Sequence, residues 1–297
     1  ERILELDPDW VDRFRSLLDG GFCELVGSGY SQMIGPLVPE HVNQWNQELG
    51  LRIYERELSV RPRIVLVNEM ALSSGMLDVY ESVGYEGIIM DGDNVRLALS
   101  TEDRPTPELP THGIGTTGAK LPVLWADTLL FQKFQRYVHG DIRWSDYEDY
   151  VRYRLSKSRT AIPVYANDAE VFDFRPGRFD AESPPHPEGE WERCGSALHA
   201  LSTDSGVVWI SPSQALEEVI GLDSGRSESL VSVAQPIPVK KQAKYNISRW
   251  AVTGRNDIWI NTMCHRLAQR LVDGPAGPDV AGLRQALCEL WSSDLRT

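Results

Sequence analysis

Two carboxylic acids stand where apolar runs break off. In RPRIVLVNEMALS, Ile64, Val65, Leu66 and Val67 give way to Asn68 and Glu69; in TAIPVYANDAEVF, Ile162 to Ala166 lead into Asn167, Asp168 and Glu170. Runs of this length and bias read as buried strands of a parallel sheet. In barrels and open parallel sheets, ligands bind at the C-terminal ends of the strands. A pair of carboxyl groups at two such ends can act as nucleophile and general acid/base, with glycoside hydrolysis the leading candidate chemistry. Asp91 and Asp93 follow GIIM in the same way, and Trp125 closes LPVLWADT. These three are candidates for substrate contact. Each candidate has a plainer alternative: a carboxylate capping the next helix for Glu69, a turn-forming Asp for Asp168 and an ordinary DGDN turn for Asp91 and Asp93, and simple packing for Trp125.

The elements that must hold these residues alternate. Helical spacing covers 8–19, 40–58, 73–83, 126–139, 145–158 and 196–202, and SPSQALEEVI opens another helix with Pro212 at an early position. Strands are expected at FCELVG, RIVLV, GYEGIIMDGDN, LPVLWADT, AIPVYAN and GVVWI. Residues 100–120 and 174–193, rich in Pro, Gly, Thr or charge, read as loops. About six strands alternating with helices predict an α/β parallel sheet or barrel. The alternation stops near 222. The polar stretch 223–239 reads as a linker and the rest as helical, so the expected domains are 1–222, the barrel, and 223–297.

Composition narrows the function. The 297 residues are 41% hydrophobic and 25% charged, an ordinary globular profile with enough chain for a large core. A formal charge of −13 opposes binding to a nucleic-acid backbone and suits a neutral substrate. No apolar stretch is long enough to span a bilayer. Cys23, Cys194, Cys264 and Cys288 are scattered without C-x-x-C, which predicts reduced thiols and a cytoplasmic protein. The six histidines show neither H-x-x-x-H nor close pairing with cysteine, so no metal site and no cofactor are expected. His139, at a helix end, reads as a cap, and His112 lies in the 100–120 loop. The segment VKKQAKYNISRWAVTGRNDIWINTMCHRL places Lys244, Asn246, Arg249 and Trp250 together, able to supply sugar hydrogen bonds and a stacking face or else to anchor a domain interface.

Four segments together resemble glycoside hydrolase family 57. ELVGSGYSQMIGPLVPEHV at 24–42 is similar to that family's second conserved region, with Gln32 where His is usual. VNEMALSSGMLDVYESVGY at 67–85 resembles the nucleophile region, with Val67-Asn68 in place of the usual flanks of the Glu. ANDAEVFDF at 166–174 resembles the acid/base region, and LWSSDLRT at 290–297 lies where the helical region offers a Ser-Asp pair, here Ser293 and Asp294. The resemblance covers most of the chain in the right order. It implies a (β/α)7-type barrel followed by helices near the barrel mouth. The family's His-bearing first strand has no counterpart before Glu24, which predicts a barrel incomplete at its N-terminus in this numbering.

By that resemblance, Glu69 is the nucleophile and Asp168 the general acid/base of a retaining glycosidase or transglycosidase acting on α-linked oligo- or polysaccharide. The substrate contacts it implies, together with the residues chosen above, are Gln32, Asp91, Asp93, Trp125, Glu170, Lys244, Asn246, Arg249, Trp250 and Asp294. A retaining mechanism predicts carboxyl groups about 5–5.5 Å apart. Two other classes stay open: a metal-dependent carbohydrate deacetylase on a related barrel, and a non-catalytic glycan-binding relative.

Overall fold

Ile64–Leu66 (β1) and Gly87–Asp91 (β2) are apolar on both faces, and they pair in parallel, Val65 opposite Ile88. In the computed structural model these strands belong to a five-stranded sheet ordered β1-β2-β4-β3-β5, with β3 Thr111–Ile114, β4 Lys120–Ala126 and β5 Ser227–Glu228. The structure describes residues 2–92, 111–157, 171–173, 187–204, 207–221, 227–228, 246–274 and 279–296. FCELVG contributes one parallel bridge, Gly27 to Val65, rather than a strand.

The helices follow the sequence signals closely. Helix α1, Arg2–Leu6, leads into α2, Pro8–Asp19, which has Asp7 as its cap, Pro at its first position and Gly20 at its end. Helix α3 is Glu40–Leu58 and α4 is Ser74–Ser82. Next come α5, Thr128–Val138, capped by Asp127, and α6, Trp144–Lys157. Glu190–Asp204 forms α7 and Pro212–Gly221 forms α8. The last two are α9, Asp257–Asp273, and α10, Val280–Leu290.

Two further expectations need correction. Residues 111–114, read as loop, form β3, antiparallel to β4, so the sheet is mixed. The glycines that suggested a loop make the hairpin turn: Gly115 N–H donates to Ala119 O at 2.8 Å, and Gly118 sits at φ 103°. GVVWI, read as a strand, has no regular structure over residues 207–210, and Val208 is 81% exposed. An apolar run alone does not secure a pairing partner, and period cannot distinguish the two cases. The expected strand AIPVYAN lies outside the described residues.

The chain divides into two compact units. One comprises Glu1–Pro105, Pro110–Leu124 and Ser211–Thr297; the other comprises Thr106–Leu109 and Trp125–Ile210. In the first, Met33, Val38 and Val42 share a core with Cys264, Ala268, Leu287, Cys288 and Trp291, so α9 and α10 pack on α3 and on the turn before it. Burial pushes the Cys288 thiol up to about 12. In the second, Phe134, Tyr147, Val151, Phe172 and Leu201 gather α5, α6 and α7 around one core. No described helix is long and apolar enough to cross a membrane.

Candidate active site

Three chain segments leave the β1–β2 side of the sheet at the same end. Gly27 bridges Val65, its N–H donating to Ile64 O and its carbonyl accepting from Leu66 N, both at 2.8 Å, so Ser28 and Gly29 emerge there. Val67 N–H donates to Ile89 O at 3.1 Å, and the chain then turns through Asn68–Met70. Because β1 and β2 are parallel, Asp91 ends at the same rim, as the sequence pattern predicts. The bulk of Tyr85 against Gly27 leaves no room there for a side chain.

The turn that carries Glu69 is unusual. Glu69 (φ 50°, ψ 18°) and Met70 (φ 54°) both lie in the left-handed region, which costs a non-glycine residue about 1–2 kcal/mol. Several bonds hold this conformation. Met70 N–H donates to Val67 O and Ala71 N–H to Asn68 O, both at 3.0 Å. Asn68 Nδ2 donates to Ser28 O at 2.9 Å. Asp91 N–H points at Met70 Sδ, 3.3 Å away, tying the end of β2 to the same turn. Beyond it Ala71 and Leu72 are buried, so the turn is anchored on both sides and lifts the half-buried Glu69 from the sheet end.

Helix α3 fixes the facing segment. Asn46 Oδ1 accepts from Ser31 N–H at 2.8 Å, and its Nδ2 donates to Ser31 O at 3.0 Å, so one amide holds both backbone groups of Ser31. Asn43 Nδ2 donates to Gly35 O and Val38 O. A Cβ on Gly50 would stand 2.6 Å from Gly29 C, so only glycine lets the helix backbone approach this closely. Gln47, Asn43 and Asn46 are buried and, with Asn68, gather beside Met33, Met76 and Tyr80; Gln47 Oε1 has no hydrogen-bond partner among the described residues.

Gln32 is exposed, and its carbonyl accepts from Ser293 N–H at 2.7 Å. The structure thus brings together the Gln32 turn and the Ser293-Asp294 pair. Ser293 is buried and Asp294 exposed. Trp250, by contrast, is 2% exposed and packs with Ile34 and Ala71, two residues beyond Glu69. Its ring is therefore covered inside the first unit. Arg249 Cζ lies 5.5 Å from the Trp250 ring centroid, and Asn246 Oδ1 accepts from Ser248 N–H at 2.8 Å. Residues Arg249–Thr253 form a π-helical turn whose Trp250 and Ala251 carbonyls both accept from Asn261 Nδ2 at 3.0 Å.

The sequence reading did not choose Asp257 as a candidate, yet it lines a cleft in the structure. It is 1% exposed; Oδ2 accepts from Gly254 N–H at 2.8 Å, and Oδ1 has no hydrogen-bond partner among the described residues. With Asn256, Thr262 and the exposed Trp259 it lines an open cleft of about 400 Å³. The signal was an Asp at the first position of a helix, which is indistinguishable from an ordinary start signal. Trp125 is buried near the end of β4, and its Nε1 has no partner among the described residues. Neighbouring Asp127 accepts from Leu129 N–H and Leu130 N–H and pairs with Arg154 Nη1 at 2.6 Å.

Asp93, Asp168, Glu170 and Lys244 lie outside the described residues. Residues 171–173, within the same motif as Asp168, are described, and they are clamped within the second unit. Asp173 accepts from Glu190 N–H and Trp191 N–H, Glu190 Oε2 accepts from Asp173 N–H at 2.7 Å, and His139 Nε2 lies 3.2 Å from Val171 O. His139 also caps α5.

Known proteins give this geometry a context. The model of glycosyl hydrolase family 57 matches residues 1–183. No curated protein sequence matches the chain. Among solved structures, the fold is similar to the GH57-type branching enzyme from Pyrococcus horikoshii, with TM-score 0.67 and 14% identity over 98% of this chain and 63% of that one. It is similar to the α-amylase AmyC from Thermotoga maritima, with TM-score 0.59 and 14% identity over 98% of this chain and 66% of that one. The 4-α-glucanotransferase from Thermococcus litoralis gives TM-score 0.57 and 19% identity over 90% of this chain and 36% of that one. The chain therefore spans between about a third and two thirds of the length of these structures. The likeness supports the α/β barrel-type fold expected from the sequence, and the match over residues 1–183 settles the family: the chain belongs to glycosyl hydrolase family 57.

Proposed function

We propose that the chain is a retaining glycosidase or transglycosidase acting on α-linked glucan. The observation that carries this reading is the left-handed turn that sets Glu69 at the C-terminal end of β1, tied to Asp91 at the end of β2. A carboxylate on a rigid turn is suited to attack an anomeric carbon. In this mechanism Glu69 forms the bond to that carbon as the glycosidic oxygen leaves. Asp168 gives that oxygen its proton, then takes one from water or from an acceptor hydroxyl, whose oxygen bonds to the anomeric carbon as the bond to Glu69 breaks and frees its carboxylate. Gln32 and Asp91 belong to the sugar-contacting rim in this reading, and Asp257 and Trp259 are added to it from their cleft. The similar structures, a branching enzyme, a glucanotransferase and an amylase, support glucan as the substrate class.

The test is a panel of activated α-glycosides and α-glucans, followed by trapping with a 5-fluoro glycosyl fluoride and mass spectrometry. The adduct is expected on the peptide containing Glu69, and Glu69→Gln is expected to lower turnover by at least about a thousandfold, as loss of a nucleophile does. Glycan binding with neither turnover nor adduct would replace this reading with that of a binding module.

A further inference from the structure

We propose that Asn68 is a positioning residue: its side-chain amide, bonded to the Ser28 carbonyl, sets the orientation of Glu69. The inference rests on the reading of Glu69 as nucleophile. Three observations lead to it. First, Glu69 and Met70 occupy a backbone region that neither favours by itself, so the turn needs outside support. Second, Asn68 Nδ2 reaches Ser28 O at 2.9 Å and lies 3.5 Å from Ser31 O, so the support attaches to the residue directly before Glu69. Third, the acceptor segment is itself immobile. Gly27 is bonded into the sheet, Asn46 holds both backbone groups of Ser31, and Gly29 lies against Gly50. A donor tethered to such an anchor restricts rotation about the 67–70 turn. Rotation there would swing the Glu69 carboxylate, whose lever arm is several bonds long. Asparagine suits this position because it is short and offers a neutral donor beside a carboxylate.

The experiment is a donor series with readouts that a purely structural bond would not move. Asn68→Ala removes the donor. Asn68→Asp keeps the shape and lacks the N–H. Asn68→His places a ring Nδ1–H at the same reach. For each, kcat and KM on an activated α-glycoside, the rate of capture by the 5-fluoro glycosyl fluoride and the melting temperature are measured. Asn68→Ala and Asn68→Asp are expected to lower kcat and the capture rate together by about 10- to 100-fold, the scale of a small misplacement of a reacting group. KM should stay within about threefold, since the sugar contacts are elsewhere. Asn68→His should recover part of the loss. Wild-type kcat in the Asp variant, or losses that follow melting temperature with no recovery by His, would overturn the proposal. If Asn68→Ala fails to fold, the Asp and His variants decide. Failure of the underlying reading looks different: Glu69→Gln then keeps its turnover, whereas a flat Asn68 series beside an inactive Glu69→Gln variant removes the positioning role alone.

Discussion

Gly50 shows how one missing side chain shapes the site. The nearest atoms to a Cβ there are Gly29 C at 2.6 Å and Tyr30 N at 2.8 Å, backbone that cannot swing aside. Gly50→Ala must push the Ser28–Ser31 segment away from α3, and should cost about 1–3 kcal/mol by overpacking. Turnover should fall as well, because the displaced segment accepts the Asn68 bond. Gly75→Ala in α4 is the control: nothing lies within 4 Å of its added methyl. That variant should keep or gain up to about 1 kcal/mol from helix propensity. Denaturant melts of both, with kcat at a temperature where both are folded, check the contrast; equal effects would contradict it. At this scale the sequence revealed where Glu69 sits, because the apolar run before it ends so sharply. It did not reveal the left-handed turn. Two successive non-glycine residues at positive φ have no local signature, and the bond that holds them comes from a segment forty positions away.

Among the elements, the junction of α3 with α10 carries a pH dependence. The His41 ring stands edge-on to Trp45 at 5.0 Å, and Arg284 covers the Trp45 ring at 4.3 Å. Burial lowers the His41 pKa below its usual 6.5, and Arg284 lowers it further against the opposing pull of Glu40. The folded state therefore favours the neutral ring. This contribution is complete above about pH 6.5 and drains away as pH falls below that value toward the depressed folded pKa. The melting temperature of the wild type should drop more between pH 7 and pH 5 than that of His41→Gln, which cannot take up the proton. Parallel drops would show that His41 is not linked to folding. The helices themselves were the legible part of the fold: α2, α3 and α4 begin and end within a residue of the bounds that helical spacing sets. Strands were less so. Residues 111–114 hide a strand inside a Pro, Thr and Gly composition, whereas GVVWI looks like a strand and forms none, because pairing depends on partners distant in sequence.

For the whole molecule, the core shared by α3, α9 and α10 lies directly behind the site. Trp291 is among its largest buried side chains; it packs with Met33, and its Nε1 donates to Asn261 Oδ1 at 3.1 Å. Trp291→Ala should cost about 3–5 kcal/mol through lost burial and the cavity left behind. Because Met33 follows Gln32, turnover should fall even where the variant is fully folded; chemical denaturation and assays well below the melting point separate the two effects. The bond from Ser293 N–H to the Gln32 carbonyl has a further consequence, one of timing. A ribosome makes Gln32 and Met33 well before Ser293. Until α10 emerges, Met33 lacks the cover of Leu287, Cys288 and Trp291, and the proposed rim cannot close. Contacts so distant along the chain form late and slow the final folding step. In a nascent chain the proposed rim around Gln32 therefore stays open until α10 has docked and Ser293 has reached the Gln32 carbonyl.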